Sequence, residues 1–243
     1  MKMIEIYLNP HNELIWSCQN TENVYTPTNE NIMAAEQLIK DLHERSYDTS
    51  FLECYTMIHT KQKNLVERAL TNLTEKQQVN KEYVPGLVGM ALAKFVLKKQ
   101  SDARNYLKML QKKPYQAEYA DEFENAWLLL ADFFISNNKF DMAEELLRKI
   151  LKVNKSMVKA EEYMGVIKEK EQAYVEAASH YEKAWEMSQK RNAGVGYRLA
   201  FNYLKAKRYV ESIVVCKDLL KTYPDYPKIQ KDILEKAQLH LRT

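Results

Sequence analysis

The sequence predicts an all-α chain, an α-solenoid of paired antiparallel helices. Three observations carry that prediction. Apolar residues recur three, four and seven positions apart over most of the 243 residues, which is the period of one helix face. The stretch 124–191, read as two lines of 34, repeats itself. Trp127, Leu130, Ala131 and Phe134, followed by Ala143, Leu147 and Ile150, are matched by Glu161, Met164, Gly165 and Lys168, followed by Ala177, Tyr181 and Ala184. Only five Gly and six Pro occur in the whole chain, so the residues that most weaken helix interiors are scarce.

A turn at Asn137 and Asn138 divides the first line, and Gln172 with Ala173 divides the second. Two helices every 34 residues is the tetratricopeptide pattern. In such a unit the two helices cross closely at the eighth and twentieth positions, where a large side chain would push them apart. Ala131 and Ala143 take those places in the first line, Gly165 and Ala177 in the second, and Trp127, Phe134, Leu147 and Tyr181 fill the space around them.

Taken in order, residues 1–49 are expected to hold a partial N-terminal repeat, a variable loop and a helix. Residues 1–8 predict a short helix stopped by Asn9-Pro10, residues 10–31 a polar loop, and residues 30–45 a helix with the stripe Ile32, Ala35, Leu38, Ile39 and Leu42. Residues 50–83 form the first full repeat, with Met57 and Ala69 at the close crossings, and residues 84–117 the second, with Ala91 and Ala103 there. Pro85 stands in a first helical turn, where a missing N–H costs little. The insertion 118–123 is expected to extend the helix carrying Trp127, ahead of the repeats 124–157 and 158–191. The repeat 193–226 carries Leu199, Ala200, Tyr203, Ser212, Cys216 and Leu219, and Pro224 ends its second helix. Residues 227–243 predict a capping helix with Ile229, Ile233, Ala237 and Leu241 on one face and Lys228, Lys231, Asp232, Glu235, Lys236 and Gln238 on the other. No equally clear cap stands at the N-terminus. The chain is therefore expected to derive from something longer, with an N-terminal end that exposes apolar surface or covers it by self-association.

Net charge is +3 with acids and bases mixed throughout, unlike the clustered basic face that nucleic acid requires. Cys18, Cys54 and Cys216 are odd in number and far apart, which points to a reducing compartment. The N-terminus lacks a signal-peptide apolar region. The richest apolar run, 127–135, is broken by Asp132 and falls short of the ~20 residues a membrane span needs. A soluble intracellular protein without direct membrane insertion is expected.

No catalytic constellation emerges. His11, His43, His59, His180 and His240 are scattered, no His or Cys pair has metal-ligand spacing, and neither a P-loop nor a GxGxxG is present. Gly86 with Gly89 and Gly194 with Gly196 are read as turn and close-packing glycines. Glu144-Glu145 and Glu161-Glu162 are read as solvated helix faces rather than acid/base pairs, and His180 as an ordinary helix residue. No enzyme activity, metal or cofactor is expected.

What remains is surface. The inner wall of a tetratricopeptide superhelix is lined by the first helix of each pair. Here it offers Val88, Leu92 and Phe95, then Leu128, Asp132 and Ile135, then Glu162, Val166 and Glu169, then Tyr197, Phe201 and Leu204. This apolar wall with a few acids suits an extended segment or amphipathic helix of a partner. It lacks the Lys, Arg and Asn with which chaperone-binding repeats hold a C-terminal carboxylate.

The runs YMGVIKEKEQAY at 163–174 and LAFNYLKAKRYV at 199–210 are more specific than the generic repeat. With FENAWLLLADFFISNNKFDMAEELLRKILKVNKS and YPKIQKDILEKAQLHLR, they resemble the C-terminal region of the tetratricopeptide repeat protein 21 family, the tetratricopeptide-repeat subunit of intraflagellar transport complex A. The resemblance runs from about residue 83 to the end, extends more weakly to Met1, and is poor over 10–29. It implies a C-terminal fragment of a longer, non-enzymatic scaffold at the cilium or ciliary base. Its partners would be other complex A subunits built of WD repeats and helical repeats, in retrograde transport by dynein-2 and delivery of ciliary membrane proteins. Two other readings are a general adaptor binding a peptide or helix outside cilia, and an RNA-binding helical-repeat protein, which would need a basic wall with base-reading polar residues.

Overall fold

The computed structural model of the chain describes Leu8 and residues 27–81, 83–226 and 228–242. Every regular element among these is helical, an all-α solenoid of tetratricopeptide helix-turn-helix pairs. The chain forms two compact units, residues 1–137 and 138–243.

The first unit comprises α1 (Asn29–Glu44), α2 (Ser50–His59), α3 (Lys63–Val79), α4 (Val84–Val96), α5 (Gln100–Gln111), a short 3-10 turn (Ala117–Tyr119) and α6 (Ala120–Ser136). Thr28 caps α1, accepting the Asn31 amide at 3.3 Å on its hydroxyl. Leu8 is fully buried with Ala35 and Ile39, and Ile32, Leu38, Leu42, Leu52 and Tyr55 pack around them. The rest of the expected helix at 1–8 and of the loop at 10–31 up to residue 26 lies outside the described residues, as do most of the residues of the expected exposed N-terminal end. Two helices are apolar on nearly all sides and are enclosed accordingly: α4 buries Val84 through Ala93, and α6 buries Phe123 and Ala126 through Ile135. Around Tyr115, Phe123 and Trp127 the ring centroids lie 5.5–5.8 Å apart.

The second unit comprises α7 (Phe140–Val153), α8 (Val158–Lys170), α9 (Tyr174–Met187), α10 (Ala193–Lys205), α11 (Tyr209–Thr222), a π turn (Gln230–Leu234) and α12 (Glu235–Arg242). Pairs α8–α9 and α10–α11 begin at residues 158 and 193. Both turn on a non-glycine residue in the left-handed region, Gln172 at φ 62° and Lys207 at φ 61°. In each, the next amide reaches back to close the helix end, Ala173 to the Lys168 carbonyl and Arg208 to the Tyr203 carbonyl, both at 2.9 Å. Where α8 crosses α9, a Cβ on Gly165 would lie 2.8 Å from the Tyr181 ring, so glycine is required for that approach. Where α10 crosses α11, the buried Ser212 hydroxyl donates to the Ala200 carbonyl at 2.9 Å. Ala143, Ala177 and Ala200 are fully buried, as are Ala91, Ala103, Trp127 and Ala131 in the first unit. Pro224 lies exposed in the turn after α11.

The capping segment departs from expectation. The π turn adds a residue to one turn and rotates α12 relative to an unbroken α-helical register. Ile229, Ile233 and Ala237 are buried as the spacing implies, but Leu234 joins them and Leu241, 52% exposed, swings out of the apolar face.

Candidate functional site

The residues assigned to an inner wall divide sharply by burial. In the first unit the wall is closed. Val88 and Leu92 lie within the enclosed α4, and Leu128, Asp132 and Ile135 are at most 1% exposed within α6. These five offer little free surface, because helices apolar on nearly all sides are enclosed on nearly all sides. Phe95 is half-buried, with its ring 5.3 Å from that of Phe133.

In the second unit the wall is half open. Helix α8 supplies Glu162, the buried Val166 and Glu169, and α10 supplies Tyr197, Phe201 and Leu204. Tyr197 packs on Tyr226 with ring centroids 5.8 Å apart, and the Lys205 ammonium sits 5.4 Å above the Phe201 ring. Polar residues tie the two helices together. Arg198 reaches Glu169 at 3.3 Å and the Tyr181 hydroxyl at 3.3 Å, and the fully buried Asn202 donates its amide to Glu169 at 2.8 Å. Lys159 pairs with Glu162 at 3.0 Å. The wall thus sets aromatic and aliphatic side chains of α10 beside α8 acids that are paired with Lys159 and Arg198.

A second feature, on the opposite members of the pairs, was not legible in the sequence. A groove of about 500 Å³ lies over α8 between α7 and α9, lined by Glu144, Arg148, Leu151, Lys152, Glu161, Met164, Lys168, Glu176, His180 and Lys183. Glu161 is 6% exposed, its carboxylate 2.6 Å from the His180 Nδ1 and 3.8 Å from the Lys183 ammonium. Burial pushes that carboxyl up, but the His180 hydrogen bond and the neighbouring charges outweigh burial and hold it below its ordinary value. Glu144 sits between Arg148 at 2.5 Å and Lys168 at 3.2 Å, and Lys168 also meets Glu171 at 3.0 Å. The expectation of solvated carboxylate pairs is therefore corrected for Glu161 and Glu144, and that of an ordinary helix histidine for His180. Periodicity places these residues on outward arcs, but the neighbouring helices roof those arcs over. Glu144, Arg148, Glu161, Lys168, His180 and Lys183 are thus engaged in ion pairs, and among the described residues no group of three or more His, Cys, Asp or Glu could hold a metal ion. Cys54 and Cys216 are buried free thiols, pushed up by burial and so poor nucleophiles.

Among the described residues no helix is long and apolar enough to cross a membrane. Residues 34–238 match the family described as "Tetratricopeptide repeat protein 21 C-terminal ARM domain". The chain belongs to the tetratricopeptide repeat protein 21 family. Tetratricopeptide repeat protein 21B of Homo sapiens is 47% identical over 99% of the chain, 21A of Homo sapiens 40%, and the tetratricopeptide repeat protein 21 homolog of Caenorhabditis elegans 38%. The chain spans 19% of the length of each of these relatives. Among solved structures, the fold resembles MamA AMB-1 (TM-score 0.57, 16% identity, covering 84% of this chain and 99% of that one). It also resembles YrrB, described as a TPR protein with an unusual peptide-binding site (TM-score 0.57, 15% identity, 86% and 100%). Cut9 in its complex with Hcn1 gives a TM-score of 0.59 at 14% identity, covering 98% of this chain and 45% of that one. At these identities the likeness is one of fold. In this member of the tetratricopeptide repeat protein 21 family the pairs α8–α9 and α10–α11 follow each other at 35 residues, the tetratricopeptide spacing.

Proposed function

We propose that this chain of the tetratricopeptide repeat protein 21 family is a non-enzymatic scaffold that holds partner proteins of intraflagellar transport complex A at the cilium or ciliary base. The observation that carries the reading is the half-open wall of the second unit. Tyr197, Phe201 and Leu204 on α10 present aromatic and aliphatic area beside the α8 acids Glu162 and Glu169, which are paired with Lys159 and Arg198. Such a surface accommodates an extended segment or an amphipathic helix, with affinity from buried apolar area rather than from charge. RNA would call for a clustered row of cations and base-reading polar groups along the wall, whereas Lys205 is a single cation beside the acids Glu162 and Glu169. The partners are other complex A subunits, with WD repeats or helical repeats of their own. Neither nucleic acid, metal nor cofactor enters the reading, and the chain does not insert into membrane.

The test is a pulldown from ciliated-cell extract with this chain as bait. Recovery of complex A subunits, identified by mass spectrometry, is the expected result. Recovery of chaperones or RNA alone overturns it.

A further inference from the structure

A third surface of the second unit adjoins the half-open wall at Lys205 and runs along the edge where the first helix of each pair turns into the second. A groove of about 350 Å³ opens there, lined by Gln172, Ala173, Tyr174, Val175, Glu176, Lys205, Ala206 and Lys207. The floor is low because Ala173 and Ala206 are small, and both turns hold their shape through the left-handed residues Gln172 and Lys207. Val175, 61% exposed, stands on its rim. The same edge repeats the arrangement in each pair: α7, α9 and α11 open on an aromatic residue (Phe140, Tyr174 and Tyr209), and one or two residues later each shows an aliphatic side chain to water. Those side chains are Met142, 44% exposed, Val175, and Val210, 59% exposed. A recurring exposed apolar row marks a contact surface.

Charge says what covers it. The groove is lined by one acid, Glu176, and two bases, Lys205 and Lys207, both exposed. Lys205 touches the Phe201 ring face, and among the described residues neither lysine has a carboxylate partner. The neighbouring Arg208, by contrast, is engaged by Glu211 at 2.9 Å and by the Tyr203 ring. Unneutralised cations beside an apolar trough complement an anionic, apolar occupant.

We infer that this turn-edge groove docks a protein segment in which apolar side chains are flanked by Asp or Glu: the apolar side chain seats between Tyr174, Val175 and Ala206, and the acids meet Lys205 and Lys207. The inference deepens the scaffold reading by adding a second docking surface and its ligand chemistry, and its test contains no ciliary protein, so failure of either is told apart from failure of the other.

The experiment is fluorescence anisotropy on the whole chain with a fluorescein-labelled decapeptide of alternating Asp and Leu carrying one central Phe, beside the same peptide with Lys in place of Asp. The acidic peptide is expected to bind at least about tenfold more tightly than the basic one. Its affinity should fall about tenfold or more in Val175→Asp and in Lys205→Glu/Lys207→Glu. The control Lys40→Glu/Lys63→Glu, which makes the same charge change on the first unit, should leave it intact. All these positions are exposed, so the variants should keep the parent's circular dichroism and melting temperature. Equal binding of the two peptides, no loss in the groove variants, or equal loss in the control would overturn the inference.

Discussion

At the scale of single residues, close helix crossings set the sharpest constraints. The Tyr181 ring lies 2.8–2.9 Å from where a Cβ on Gly165 would stand, and the ring is itself fully buried. Gly165→Ala is expected to cost about 1–3 kcal/mol by overpacking, despite the higher helix propensity of Ala, and Ala177→Leu a similar amount. Melts matching the parent would contradict both. His59 makes a different prediction. It is 1% exposed, donates Nδ1–H to the Tyr55 carbonyl at 2.8 Å, and has its pKa lowered to about 4, chiefly because burial disfavours the imidazolium. Between that value and its ordinary 6.5 the unfolded chain binds a proton that the folded chain refuses. Stability is therefore complete above the upper value and declines as pH falls toward the lower, by at most about 3 kcal/mol. Urea midpoints at about pH 7.5 and about pH 4.5 should differ less in His59→Phe than in the parent; an unchanged difference would remove His59 from the account. Spacing alone marks Gly165 in the sequence. Nothing there marks Glu161, because a period states which arc a residue occupies and not what the next helix lays over it.

At the scale of elements, the helical character of 124–191 was legible because small and large apolar residues recur at fixed distances in both lines. Burial of α6 was less so. A helix apolar all round reads as a wall when its positions are numbered by repeat, but Leu128, Asp132 and Ile135 are enclosed. The capping segment differs from its sequence pattern at one point, since no residue type in 230–234 announces a π turn. That turn supplies a direct check. Leu234→Ala is expected to cost about 2–4 kcal/mol and Leu241→Ala close to nothing, because the first side chain is buried and the second is not. The reverse order in a denaturation series would restore an unbroken α-helical register. Across α7, α8 and α9, Lys168 joins Glu144 and Glu171, and Glu161 joins His180 and Lys183. Glu161→Gln keeps the shape but leaves His180 facing a weaker acceptor. It should lower stability more than Glu145→Gln, whose side chain is exposed, and equal melts would assign the buried pair no role.

At the scale of the whole molecule, a repeat array offers surface instead of a single enclosed site, and its parts differ in what they leave open. The second unit keeps Tyr197, Phe201 and Leu204 accessible beside the paired acids Glu162 and Glu169. Membership of the tetratricopeptide repeat protein 21 family could be read from runs such as YMGVIKEKEQAY, whereas the partner could not, because docking is written in the shape of several helices at once. The most direct measurement compares the complex A subunits that the parent chain and Tyr197→Ala/Phe201→Ala retain from the same ciliated-cell extract, with melting temperatures checked in parallel. The account predicts that the parent retains them and that the variant, still folded, retains about tenfold less. Equal retention by the two, or none by the parent, would contradict it.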